Sequence, residues 1–218
     1  MIKVKICGML RDEDMISARR ADYVGFIVET NSKRQLTISR AEQLMSMAKC
    51  KKVIVTTCQS DEVLKQIVRV LKPDVLQLHS VMKVEDVEAI ANAVPCDVWA
   101  LQPMGWGDEL ERAEKLVGKC SGLVLDTASA SFGGAGMKHD WTLSAEIVEA
   151  VDPFPIVLAG GLNPGNVVDA IMAVHPFAVD VSSGVETGGR KSMDLVEQFI
   201  SNARSVYYYL PSNPSRCY

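Results

Sequence analysis

What this 218-residue chain lacks narrows its function before any motif is read. No run of apolar residues is long enough to cross a bilayer, and the N-terminus, MIKVKICG, has neither the apolar core nor the cleavage site of a secretory leader. Neither sign of charge dominates: 23 basic against 27 acidic residues leave a formal charge of −4. That gives no field to draw in nucleic acid or an anionic membrane, and neither is expected as a partner. An anionic substrate must therefore be attracted locally. Histidines number only three, at 79, 139 and 175, too scattered for a metal cluster. The six cysteines, at 7, 50, 58, 96, 120 and 217, include no Cys-x-x-Cys pair. Dispersed thiols of this kind suggest a reducing compartment, and a cytoplasmic location is expected.

Alternation fills the chain instead. Short β-branched runs, IKVKI (2–6), YVGFIV (23–28), KVIVTT (52–57), DVLQLH (74–79), DVWAL (97–101), GLVLD (122–126), PIVLAG (155–160) and FAVDV (177–181), are separated by amphipathic stretches such as SDEVLKQIVRVLK. The apolar positions of those stretches recur every three or four residues, as a helix packed on a sheet requires. Ser39 and Ser60 are placed as N-caps, and LNPGN puts Asn163 at a cap with Pro164 at the first helical position. With no Pro/Gly/Ser-rich linker, eight such units predict a single α/β domain, a (βα)8 TIM barrel over 1–205, followed by a C-terminal tail over 206–218. An open doubly wound sheet would want a Gly-x-Gly-x-x-Gly turn after the first strand, where this chain reads CGMLRD.

In a parallel barrel the carboxyl ends of the strands and the loops that follow build the active site. Those positions read Cys7, Glu29 with the NSKR loop, Thr57–Cys58, His79, Gln102, Asp126, Gly160–Gly161 and Ser182–Ser183–Gly184. The set is polar. Glycines at 160, 161 and 184 suit either tight turns or a backbone cradle for phosphate, and the shared character of the two neighbouring loops favours phosphate. Period-two alternation sets Lys3, Lys5 and Cys7 on one side of the first strand, so Cys7 is expected to face the mouth with Lys5 beneath it. A lysine there should favour thiolate and lower the thiol pKa. Asp126 either orders the TASASFGGAG loop or stands as a carboxyl across the mouth from Cys7, where the two form an acid/base couple. Arg34 is a solvated charge or a fork for a substrate carboxylate. His79 reads as a hydrogen-bonding wall residue rather than a ligand or a base. Cys58, at the third strand, is the natural control for Cys7.

The motifs KICGM, GFIV…SKR, LQLH, LDT…FGGAGMKHDW, LAGGLNPGNV and DVSSGVE occur in this order, one per successive unit, from about residue 2 to about residue 204. Together they closely resemble the phosphoribosylanthranilate isomerases of tryptophan biosynthesis. The resemblance implies a cofactor-independent barrel, monomeric or homodimeric, that binds a small phosphosugar. It implies conversion of N-(5′-phosphoribosyl)anthranilate to 1-(2-carboxyphenylamino)-1-deoxyribulose 5-phosphate by an Amadori rearrangement. Cys7 would be the general base, Asp126 the general acid and Arg34 the holder of the anthranilate carboxylate. Gly160, Gly161, Ser183 and Gly184 would take the phosphate, with His79 and Asp180 also set at the substrate. Three positions depart from the family pattern: Ser80 replaces a glycine, Ser192 replaces the aspartate after GVE, and His139 replaces an aromatic residue before Asp-Trp. A metal-dependent pentose-phosphate epimerase, the histidine-pathway isomerase and a barrel that binds phosphate without turnover are the alternatives.

Overall fold

The first strand sets the pattern for the rest. In the computed structural model, which describes residues 1–127 and 141–206, β1 (Lys3–Cys7) buries everything after its exposed first lysine. Val4 and Ile6 join an outer core between strands and helices, whereas Cys7 joins an inner one with Tyr23, Val53, Val75, Trp99, Val124 and Val157. Two cores follow from period-two alternation in strands covered on both faces.

Seven more parallel strands complete a closed barrel: β2 (Tyr23–Ile27), β3 (Lys51–Thr56), β4 (Val75–Leu78), β5 (Asp97–Met104), β6 (Gly122–Thr127), β7 (Ile156–Leu158) and β8 (Ala178–Val181). Strand β8 closes on β1 with Lys5 beside Asp180. The helices are α1 (Asp12–Ser17), α2 (Ile38–Met47), α3 (Asp61–Leu71), α4 (Val84–Ala93), α5 (Glu109–Leu116), α6 (Trp141–Val151), α7 (Val167–Val174) and α8 (Met193–Ser205). A two-stranded hairpin, β9 (Glu186–Thr187) and β10 (Arg190–Lys191), stands between β8 and α8. The predicted barrel is therefore present. No described helix is long and apolar enough to cross a membrane.

Helix α3 shows why these segments are helical. Ser60 occupies its N-cap, Asp61 and Glu62 meet the positive end of the helix dipole, and Arg69 meets the negative end. Leu64, Ile67, Val68 and Leu71 make one buried stripe. Each such side chain contributes about 1.5–3 kcal/mol by leaving water.

Two helix starts differ from expectation. Thr37, not Ser39, caps α2, its side chain accepting from Arg40 N. Helix α7 begins after Asn166 rather than Asn163. There the Asn163 side chain accepts from Gly165 N at 2.8 Å, and Asn166 Oδ1 accepts from Asn163 N at 2.8 Å. These local bonds hold a turn against the helix. Strand β5 also runs on past Leu101 to Met104. The TASASFGGAG loop after Thr127, His139 and the tail beyond Val206 lie outside the described residues.

Candidate active site

Cys7 reaches the barrel interior because its neighbour on β2 is glycine. The two pair in register, and a Cβ on Gly25 would come within 2.8 Å of the Cys7 sulfur. Beyond Cys7 the chain turns at Gly8, whose φ of 83° is costly for any other residue, and the amides of Gly8 and Met9 both donate to the Gly25 carbonyl. The thiol is buried, with 6% of the residue exposed.

Beneath it lies Lys5, fully buried, its Nζ 2.6 Å from Asp180 Oδ2. Burial opposes the Lys5 ammonium, but Asp180 and Cys7 outweigh burial and hold its pKa above the ordinary value. Cys7 itself departs from expectation. Burial pushes its thiol pKa up, Lys5 and Lys191 pull it down, Asp180 adds to the rise, and the net direction is upward. The lysine was legible in the sequence; the desolvation that overrides it was not. Asp180, on β8, thus sits in the barrel interior as the partner of Lys5.

Asp126 is the penultimate residue of β6, and its Oδ2 lies 3.6 Å from His79 Nε2. On its other side the His79 ring meets Gln77 Nε2, 3.1 Å from Nδ1. An amide nitrogen only donates, so Nδ1 accepts and Nε2 carries the hydrogen that faces Asp126. Burial and Lys5 lower the His79 pKa despite Asp180, which keeps the ring neutral near pH 7. His79 thus stands as a neutral ring beside the Asp126 carboxyl.

The seventh and eighth loops lie against each other. Gly160 and Gly161 take φ values of 83° and 69°, and a Cβ on Gly184 would overlap the Leu162 carbonyl oxygen. Only glycine permits that approach. Within loop eight, Ser183–Val185 form a three-residue 3-10 turn.

Arg34 meets a partner that the sequence reading missed. Its Nε and Nη2 form a two-pronged pair with Glu186 at 2.7 and 2.8 Å. Lys191 Nζ reaches the same carboxylate at 2.7 Å and the Ser182 carbonyl at 2.9 Å, while Ser182 Oγ donates to the Cys7 carbonyl. Burial opposes the charge on Glu186, but the hydrogen bonds from Arg34 and Lys191 win and bring its pKa down to about 2. The GVE motif contained the only signal, a glutamate after the eighth strand; its partner lies 152 residues earlier. Gln102 also differs from expectation. Counting outward from inward-facing Trp99 turns it toward the helices, where it is fully buried. Cys58 packs against the outer core. The Ser192 departure is mild, because its side chain caps α8 by accepting from Leu195 N. Among the described residues no cluster of His, Cys, Asp and Glu could hold a metal.

A closed (βα)8 barrel whose mouth gathers a thiol, a carboxyl, a neutral imidazole and two glycine-bearing loops belongs to the class that carries out acid/base chemistry on small ligands. Residues 4–202 match the family model of N-(5′-phosphoribosyl)anthranilate (PRA) isomerase. The isomerase of Methanothrix thermoacetophila is 35% identical over 94% of this chain and 99% of its own, and that of Haloferax volcanii 37% over 94% and 95%. The crystal structure of phosphoribosyl anthranilate isomerase from Thermotoga maritima superposes with a TM-score of 0.83 at 33% identity, covering 94% of this chain and all of that one. The chain belongs to the N-(5′-phosphoribosyl)anthranilate isomerase family.

Proposed function

We propose that this chain converts N-(5′-phosphoribosyl)anthranilate to 1-(2-carboxyphenylamino)-1-deoxyribulose 5-phosphate, an Amadori rearrangement in tryptophan biosynthesis, in the cytoplasm and without a cofactor. The observation that carries the chemistry is the placement of a buried thiol on β1 and a carboxyl on β6 at the same end of one barrel. A related phosphoribosyl anthranilate isomerase, 31% identical with a TM-score of 0.80, has been solved with reduced 1-(o-carboxyphenylamino)-1-deoxyribulose 5-phosphate, which supports the same ligand class here.

In this reading Asp126 gives its proton to the ribose ring oxygen, and the ring opens to a protonated Schiff base. The Cys7 thiolate then removes the C2 proton, and the enolamine tautomerises to the ketone. One proton enters at oxygen and one leaves carbon, so the isomerisation balances; solvent carries the proton from Cys7 back to Asp126. Lys5 offsets part of the cost of forming the thiolate in a buried place. The hydrogen on His79 Nε2 faces the Asp126 carboxyl and favours the anion left after transfer. Amides of the loops bearing Gly160, Gly161, Ser183 and Gly184 hold the phosphate, and Arg34 holds the anthranilate carboxylate.

The experiment is direct. Purified protein given N-(5′-phosphoribosyl)anthranilate should consume it, with matching appearance of the ketose by chromatography, and chelator should leave the rate unchanged. Binding without turnover would end this reading.

A further inference from the structure

Hairpin β9–β10 is built to set two charges opposite each other. Its turn is Gly188–Gly189, with φ of 58° and 75°, the two left-handed positions that a tight two-residue hairpin demands. That turn fixes a register in which Lys191 pairs directly with Glu186 and Arg190 with Thr187. The Lys191 side chain is 1% exposed and that of Glu186 8%, so this ion pair is removed from water at the rim of the mouth.

Arg34 arrives from the loop after β2 and docks on the pair. A Cβ on Gly8 would lie 2.6 Å from Arg34 Cδ, so the arginine stem packs flat on the backbone just beyond Cys7. Glu186 takes Nε–H and one hydrogen of Nη2, through separate oxygens. A guanidinium has five N–H groups, and the three left over are both on Nη1 and the outer one on Nη2. Those last two atoms form the end of the fork, the edge that fits a carboxylate. The charges leave the same remainder: two cations and one anion sum to a single positive charge.

We infer that Glu186, clamped by Lys191, is a positioning residue that aims the end of the Arg34 fork at the ring carboxylate of the substrate. It thereby sets selectivity for carboxylated over uncharged aryl groups. The inference rests on the isomerase reading. Without the clamp, a long side chain would have to be ordered each time ligand binds; with it, that ordering is complete beforehand.

The test compares two ligands by calorimetry. One is reduced 1-(o-carboxyphenylamino)-1-deoxyribulose 5-phosphate, and the other is its phenylamino counterpart without the carboxylate. Wild-type protein should prefer the first. In Glu186→Gln the affinity for the carboxylated ligand should fall about tenfold, while the phenylamino ligand changes less than about twofold. In turnover KM should rise by more than kcat falls. A hairpin that only supports the barrel would weaken both ligands equally, and that result overturns the inference, as does unchanged binding of both. Glu186→Gln strands the Lys191 ammonium, so Glu186→Gln/Lys191→Met, which removes both charges, is run beside it with the same selective loss expected. If neither variant folds, the cluster is a structural support and the inference falls. A wild-type protein that turns over substrate while the variants keep full selectivity removes this inference alone; a wild type that neither turns over nor binds removes the isomerase reading.

Discussion

The two ends of the barrel use the same residue types for opposite purposes. At the mouth the ion pairs Lys5–Asp180 and Lys191–Glu186 are almost wholly buried, and both stand around Cys7. At the other end Asp22 and Asp74 are partly in water, with 24% and 39% of their side chains exposed. Each ties down the start of a strand: Asp22 Oδ2 accepts from Val4 N at 3.0 Å, and Asp74 Oδ2 from Lys52 N at 2.7 Å. A surface hollow of about 720 Å³ also lies at that end, lined by Lys3, Asp22, Tyr23, Lys51 and Asp74 among others. Its carboxylates, Asp22 and Asp74, are taken up by strand-start amides and by lysine partners. Size alone does not locate a site. Buried charge is costly unless each ion is partnered, so its concentration at one end marks where function rather than stability chose the residues.

The largest effect should come from the mouth. Cys7→Ala and Asp126→Ala should each lower kcat/KM by about 10²–10⁴-fold or more, as loss of a general base or acid does. Thermal unfolding should stay near that of the wild type. Loss of anthranilate fluorescence on turnover gives the rate. Full activity in Cys7→Ala would erase the distinction between the ends.

Lys5→Met probes the cost of buried charge. It leaves Asp180 in the barrel interior without its cation, so stability should drop by about 3–5 kcal/mol in urea unfolding. It should also move the pH profile in a defined direction. Cys7 acts as thiolate, so kcat/KM rises as pH climbs through the thiol pKa. Lys5 lowers that pKa, so its removal carries the ascending limb to higher pH. A profile that stays in place would show that Lys5 does not act on the thiol.

These expectations also separate what was legible in the sequence from what was not. The eight strands announce themselves through β-branched runs, and Cys7, Asp126 and His79 follow from strand ends and alternation, which are local facts. The start of α7 was misread because the Asn163 side chain bonds within its own turn. The pairing of Arg34 with Glu186 spans 152 residues and exists only once the barrel closes. The direction of the Cys7 pKa depends on burial, which alternation indicates but does not measure. Local chemistry was readable; distant pairing and desolvation needed the fold.

Asp74→Ala tests the other end. It removes the acceptor for Lys52 N and a half-exposed ion pair worth little by itself. Stability should fall by about 1–2 kcal/mol, the usual cost of one backbone-anchoring hydrogen bond to a charged group. Values of kcat and KM should stay at wild type. Altered kinetics here would mean that strand starts are coupled to the mouth through the length of the barrel.

Cys58→Ala should have the smallest effect, and it is the sharpest control on Cys7. Both cysteines stand at the carboxyl end of a strand of the same sheet, Cys7 as the last residue of β1 and Cys58 just after β3, so sequence position hardly distinguishes them. Their surroundings do. Cys7 belongs to the inner core and feels Lys5, Asp180 and Lys191. Cys58 packs against the outer core, and its Sγ accepts from Ser60 N at 3.4 Å, at the start of α3. Removing that sulfur deletes a weak bond and a half-buried atom, a loss of less than about 1 kcal/mol. Activity should stay within about twofold of wild type, since a change of 1.4 kcal/mol is needed for tenfold. The pH profile should not move. A displaced ascending limb in Cys58→Ala would instead assign the titrating thiol to the third strand.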